Sequence, residues 1–383
     1  MFGVILALVF TAMLGYVFWR AASVPFVRKH ISRKRLITAG FALWASFFLG
    51  RILGPEDGGS LAMALELWSM TWLATLFLMS TALLVADAAT GFGLFLTRFA
   101  SRLRGAALVA GAALSALALV QGLRPPVVQS YDVDIAGLPR TLDGTVIVAL
   151  SDLHLGSVLG ERWLAARVEQ VQAERPDVVV LLGDLFEGHS APAVELLAAL
   201  RRLSAPLGIW AVLGNHEFHS AQNHDGAMFE EAGIHLLRNA WVGLRPGLVL
   251  AGVDDLSANR AAGTEEAPLA KALTGRSLGA TVLLTHAPLM ADSVASKGVD
   301  LMLSGHTHGG QIWPFGYLVR QRFPLFEGRY EIGAMTVIVS RGTGTWGPRM
   351  RLWHPAEILR VTLHARTKTP TASAGATITG DRE

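Results

Sequence analysis

Residues 145–154 read Thr-Val-Ile-Val-Ala-Leu-Ser-Asp-Leu-His. The first seven, Thr145 to Ser151, make an apolar run of strand length, followed at once by two side chains that carry metal-binding atoms, Asp152 and His154. Such a run predicts a buried strand. The same pattern recurs outward from it. Asp177 to Gly183 precedes Asp184, Gly208 to Gly214 precedes Asn215 and His216, Thr281 to Thr285 precedes His286, and Val299 to Ser304 precedes His306 and His308. Leu248 to Val253 and Met335 to Ser340 are further runs of strand length. Between the runs, Arg162 to Glu174, Ala191 to Leu203 and Pro288 to Ser296 carry apolar residues at helical spacing. Strands alternating with helices predict an α/β domain. In an open α/β sheet, sites assemble beyond the C-terminal ends of the strands, which is where all of these Asp, Asn and His residues fall.

Upstream of residue 124 the chain changes character. Over the whole 383 residues, 51% are hydrophobic and only 16% charged, too apolar for an ordinary soluble protein, and the excess is concentrated in residues 1–123. Met1 to Trp19, Leu67 to Ala86 and Gly105 to Leu123 contain no charge, and each is long enough to cross a hydrocarbon core of ~30 Å at ~1.5 Å per residue. A fourth run, about Leu36 to Leu53, is interrupted near its end by Arg51, from where a long side chain can snorkel to the headgroups. The expectation is a four-helix transmembrane anchor over 1–123, a catalytic domain over 124–366 and a disordered tail over 367–383. The first run lacks the basic residues that precede the core of a signal peptide, so it reads as a retained span. Its partner is the lipid bilayer.

Orientation follows from the basic residues of the short loops. The first loop holds Arg20, Arg28, Lys29, Arg33, Lys34 and Arg35; the third holds Arg98, Arg102 and Arg104; the second has only Arg51 at its border and carries Glu56 and Asp57. Loops one and three are therefore expected in the cytoplasm, with the catalytic domain outside it. A pI near 9.4 invites a nucleic-acid reading, but the net charge is only +3 and many of the basic residues lie between apolar runs. No nucleic-acid partner is expected. The absence of cysteine excludes disulfides, thiolate ligands and cysteine nucleophiles.

Taken singly, a His or Asp after a strand is more often a turn or capping residue than a ligand. Together, the segments Ser-Asp-Leu-His (Ser151 to His154), Gly-Asp (Gly183, Asp184), Gly-Asn-His-Glu (Gly214 to Glu217), Thr-His-Ala-Pro (Thr285 to Pro288) and Gly-His-Thr-His-Gly-Gly (Gly305 to Gly310) occur in the order and rough spacing of one signature. Over about Thr145 to Leu363 the chain resembles the calcineurin-like metallophosphoesterases. Ser340 to Ile358 further resembles the C-terminal stretch of the membrane-associated phosphodiesterase subgroup, which includes proteins similar to UDP-2,3-diacylglucosamine hydrolases. The resemblance implies a four-layer αββα sandwich and a site for two divalent metal ions. In that site Asp152, His154 and His308 would hold the first ion, Asn215, His286 and His306 the second, and Asp184 would bridge them. Alternating Asp and His suits Mn, with Zn or Fe also possible, rather than Ca or Mg.

Two such ions lower the pKa of a shared water and clamp phosphoryl oxygens, so no protein nucleophile is needed. The resemblance makes His216 a non-ligand that stabilises the transition state or protonates the leaving oxygen. Glu187, three residues after Asp184, would orient that imidazole, against the alternative of a simple exposed loop acid; the family often has Asp near that position, and Glu reaches further. Gly305, Gly309 and Gly310 are expected to let the backbone turn so that His306 and His308 address different ions. His189, His219 and His224 read as solvated loop histidines, while Trp313, Phe315 and Trp346 either complete the core or meet an apolar substrate. The leading expectation is hydrolysis of a phosphodiester, phosphomonoester or pyrophosphate on a phosphorylated, lipid-linked or envelope substrate. The alternatives are a broad phosphoesterase for soluble or cell-wall phosphates and a non-catalytic, metal-holding membrane sensor.

Overall fold

The structure, a computed structural model, describes residues 2–57, 59–156, 158–187, 194–219, 227–257 and 264–366. The expected tail, 367–383, lies outside them, as do His189 and His224.

Five helices precede the first strand: α1 Phe2–Ala21, α2 Pro25–His30, α3 Arg33–Asp57, α4 Gly59–Ala89 and α5 Thr97–Gly122. Among the described residues, three stretches are long and apolar enough to cross a membrane: Gly3–Ala21, Met63–Ala89 and Thr97–Gly122. Less than two-fifths of each is buried inside the protein, so most of their apolar surface faces outward, as lipid-facing helices do. The expected second span lies within α3, whose side chains are described only as far as Gly50. Inside the bundle, Phe10 of α1 stacks on Phe47 of α3 with ring centroids 3.9 Å apart. Asp87 near the end of α4 is fully buried and paired with Arg20 at 2.7 Å and Arg104 at 2.8 Å. A buried carboxylate between two guanidiniums joins three helices at one level.

The remaining chain builds two six-stranded sheets. The first has strand order β1 (Val127–Ile135), β12 (Glu357–Ala365), β2 (Thr145–Leu150), β3 (Val178–Leu182), β4 (Ile209–Val212), β5 (His235–Leu236), parallel except where β12 meets β2. The second runs β10 (Gly328–Ile332), β11 (Met335–Val339), β9 (Leu301–Ser304), β8 (Gly279–Leu284), β7 (Gly247–Gly252), β6 (Ala240–Arg245), with parallel central strands and antiparallel edges. The two sheets pack face to face. Val178, Val180 and Leu182 of β3 share a buried core with Leu250, Val282, Leu284 and Leu303 of the second sheet. The alternate residues of β3, Val179 and Leu181, point the other way, into a core with Leu164 and Val168 of α6 (Glu161–Ala173) and Leu200 of α7 (Val194–Leu200). After the short helices α8 (Asn215–His219) and α9 (Ala227–Glu231), the second sheet's outer face buries Leu269 and Leu273 of α10 (Glu266–Leu273) and Val294 of α11 (Ala291–Ser296). Strands covered on both faces must be apolar at every position, which is why they appear in the sequence as unbroken runs. The α/β sandwich is as expected, and its parallel central strands bring their C-terminal ends to one edge.

Candidate metal centre

At that edge the chain leaves the strands under strain. Asp152, His154, Asp184, His306 and His308 all have φ between 46° and 71°, a left-handed conformation that non-glycine residues seldom adopt. Such backbone persists only where surrounding contacts fix it, and it gathers at functional sites. Gly309 and Gly310 turn with positive φ as expected. Gly305 does not, and here the expectation is corrected. A Cβ at Gly305 would stand 1.7 Å from the Ser151 hydroxyl and 2.4 Å from Asp152 Oδ2, so glycine is needed there for close approach rather than for a turn.

The seven residues expected to bind metal are brought together. Among the described residues, Asp152, His154 and His308 form one group that could hold a metal ion, and Asp184, His286 and His306 form another. His286 Nδ1 lies 2.8 Å from the Leu182 carbonyl, to which it donates, leaving its Nε2 a lone pair if the ring is neutral. That Nε2 faces Asp184 Oδ2 at 3.2 Å, His306 Nδ1 at 3.0 Å and Asn215 Oδ1 at 3.1 Å. Across Asp184, His154 donates from Nδ1 to Glu187 at 2.7 Å, and its Nε2 meets His308 Nε2 at 3.2 Å. His308 Nε2 in turn lies 3.3 Å from Asp152 Oδ1. Lone-pair atoms that point at one another from such side chains are costly unless a cation sits among them, either a metal ion or a proton on His286, where burial opposes the charge but Asp184 outweighs it and raises the pKa well above the imidazole range. Burial pushes His306 down to about 4 and His308 to about 3, so both offer neutral nitrogens, the form that binds metal. Burial works against ionisation of Asp184, yet the imidazoles of His286, His216 and His154 hold its carboxyl well below the usual range. The donor set therefore fits divalent transition metals on both sides of Asp184.

His216 stands at the rim. Its backbone N–H donates to Asp184 Oδ1 at 2.9 Å, its Nδ1 is 3.1 Å from Glu187 Oε2, and its Nε2 is 3.9 Å from Asp184 Oδ2. His154, Asp184 and His216 thus make a third group close enough to share an ion. Glu187 touches two imidazoles, His154 as well as His216, rather than His216 alone. Burial opposes its charge, but these two hydrogen bonds bring its pKa down to about 2. Burial likewise lowers His216, and the Glu187 hydrogen bond with the nearby carboxylates outweighs it, raising His216 to about 9.

Two residues of the site were not singled out in the sequence. Glu217, the last of Gly-Asn-His-Glu, is buried and accepts backbone N–H bonds from Asp184, Leu185, Phe186 and Gly214 at 2.7–3.3 Å, tying together the loops that carry Asp184, Asn215 and His216. Its signal was membership of the motif. Arg351 is fully buried and donates to the carbonyls of His308, His354, Arg341, Gly342 and Gly344, binding the Ser340–Ile358 segment to the His308 turn. Of His219 only the backbone, at the end of the short helix Asn215–His219, is described.

An α/β sandwich with adjoining Asp and His groups at one edge has the makings of a metal-binding domain. A calcineurin-like phosphoesterase family profile matches residues 145–310. An uncharacterized metallophosphoesterase of Aquifex aeolicus is 36% identical over 248 residues, 62% of this chain and 92% of that one. The chain belongs to the calcineurin-like metallophosphoesterase family. A Bos taurus relative called transmembrane protein with metallophosphoesterase domain is 34% identical over 273 residues, 66% of this chain and 60% of that one. An uncharacterized metallophosphoesterase of Campylobacter jejuni is 35% identical over 248 residues, 64% of this chain and 65% of that one. The chain thus spans just under two thirds of the length of these last two relatives.

Proposed function

We propose that this chain is a membrane-associated, metal-dependent phosphoester hydrolase. In this reading Asp152, His154 and His308 hold one divalent ion, Asn215, His286 and His306 hold a second, and Asp184 is shared. The observation that carries it is the convergence of His, Asp and Asn acceptor atoms on either side of Asp184. Mn suits the mixed oxygen and nitrogen donors, as do Zn and Fe. Bound there, the ions would supply an activated water and neutralise phosphoryl oxygens.

The chain's own residues do the rest. Glu217 holds the backbone of the Asp184 loop, Gly305 leaves room for the Asp152 carboxylate, and Glu187 holds the His154 and His216 rings by their Nδ1 atoms. His216, at the rim beside Asp184, hydrogen-bonds the leaving-group oxygen and gives it a proton. The three candidate spans, and a relative whose name includes the word transmembrane, support a phosphoester or pyrophosphate carried by a lipid-linked or envelope molecule. The test is a screen of the purified full chain, loaded separately with Mn, Zn and Fe, against lipid pyrophosphates, phospholipids and soluble phosphodiesters. Chelation should abolish hydrolysis and Mn should restore it. Full turnover with bound metal shown absent by elemental analysis would end the proposal.

A further inference from the structure

The turn carrying His308 runs straight into the membrane helices. Ile312, Met350 and Leu352 share a buried apolar cluster with Ala74 and Leu78 of α4 and Ala118 of α5. The Arg351 backbone N–H donates to the Ala118 carbonyl at 2.9 Å, and the Trp353 backbone N–H donates to Gln121 at 2.8 Å. Gly122 is glycine because a Cβ would stand 2.5 Å from the Arg349 carbonyl. The catalytic domain is therefore seated against the sides of α4 and α5 rather than hanging from the end of α5.

Depth follows from where it is seated. Phe315 packs edge-on against Phe77 with ring centroids 6.1 Å apart, and Phe77 is near the middle of the candidate span Met63–Ala89. A hydrocarbon core of about 30 Å takes about 20 residues of helix. Even if that core is set wholly at the Ala89 end of the span, Phe77 still lies about 10 Å inside it. Phe315, at its side and 43% exposed, is then level with lipid.

Phe315 leads into α12 (Gly316–Arg322), a short helix not expected from the sequence. Its Tyr317 and Leu318 are 64% and 58% exposed, and Arg320 and Arg322 follow in its last turn. Exposed apolar side chains followed by arginines match the chemistry of a bilayer's acyl and headgroup layers. Both ends of the helix adjoin the metal centre. Phe323, its C-cap, lies 4.8 Å from the His306 ring, and Gly310 of the His308 turn abuts Gly316.

We propose that Phe315, Tyr317 and Leu318 are seated in the bilayer beside α4, so that a membrane-resident phosphoester moves from the lipid along α12 to the metal centre without leaving the membrane surface. This rests on the hydrolase reading above for the chemistry, but the seating stands on the geometry alone.

The chain has no cysteine, so one introduced cysteine takes a label by itself. The full chain, carrying Leu318→Cys or, as a control, Leu278→Cys at the exposed position just before β8, at the N-terminal end of that strand, is labelled with a fluorophore in nanodiscs of phosphatidylcholine and phosphatidylglycerol. The label at 318 should be shielded from aqueous iodide and quenched by lipid-borne nitroxide, and that at 278 the reverse. Equal iodide access at the two positions overturns the seating. In the same discs, Tyr317→Glu with Leu318→Glu should lower turnover of a phospholipid phosphoester about tenfold while a soluble chromogenic phosphodiester changes less than about twofold. An equal change in both overturns lipid delivery. Failure of the metal-loaded parent chain on both substrates would defeat the hydrolase reading instead, and the iodide measurement would still decide the seating.

Discussion

Gly305 contributes no donor atom, yet its missing side chain makes the space that Asp152 fills. Gly305→Ala places a methyl group where Ser151 and Asp152 already stand. We expect the variant to stay folded by circular dichroism and to lose metal by elemental analysis; two ions retained with normal turnover would contradict a ligand role for Asp152. Asp184→Ala should empty both sites, since each donor set converges on that carboxylate, and retention of two ions would disprove the sharing. His216→Ala should keep its metal and lose turnover by roughly 10²- to 10⁴-fold, the range for a positioned acid. Loss of metal would make it a ligand, a role that its 3.9 Å distance from Asp184 Oδ2 allows. At this scale the side chains that converge were legible, because each follows a strand and carries a distinctive donor. The role of Glu217 was not, although it closes the Gly-Asn-His-Glu motif, because its partners are backbone N–H groups, which no residue identity announces. Arg351 was missed for the same reason, as its partners are all carbonyls.

Elements were legible where burial is two-sided. Seven strands appear at the apolar runs within one or two residues, since a strand between a sheet and a helix layer has no polar face to interrupt it. The sequences VVQSYDVDI of β1 and GRYEI of β10 form sheet edges with one face partly open, so polar residues break the run, while AWVGLR of β6, also an edge, is interrupted at Gly243, where its register shifts. β12 is interior but carries Glu357, buried through its ion pair with Arg341, a compensation visible only in the fold. In the membrane half, glycine positions separate packing faces from open ones. Gly111→Leu would drive a Cβ to 2.7 Å from the Met79 Cα, which is backbone of the neighbouring helix and cannot swing away, whereas Gly15 has nothing within 4 Å. Gly111→Leu should cost about 1–3 kcal/mol, as overpacking does. Thermal unfolding in nanodiscs should show a lower midpoint for Gly111→Leu and an unchanged one for Gly15→Leu. Equal effects would mean that α4 and α5 are not packed at Gly111.

For the molecule as a whole, the side of the membrane decides which leaflet supplies substrate, and from the loop charges we propose that the catalytic domain lies outside the cytoplasm. The argument is the excess of Lys and Arg in loops one and three over loop two. Arg20 and Arg104 are engaged by Asp87, so part of that charge is neutralised within the bundle. Arg28, Lys29, Arg33, Lys34, Arg35, Arg98 and Arg102 keep the bias in the same direction, against Arg51 alone on the other side. The element on which the count depends is α3, since removing one span would carry the domain across the membrane. Arg51 would cost ~2.5–3.5 kcal/mol at the bilayer centre and less near an interface, where its place late in α3 can put it. Alkaline phosphatase fused after residue 130 should be active, and a reporter that works only in the cytoplasm should be silent at the same point. The reverse pattern would put the metal centre in the cytoplasm, and the apolar edge around Phe315 would then draw on the inner leaflet.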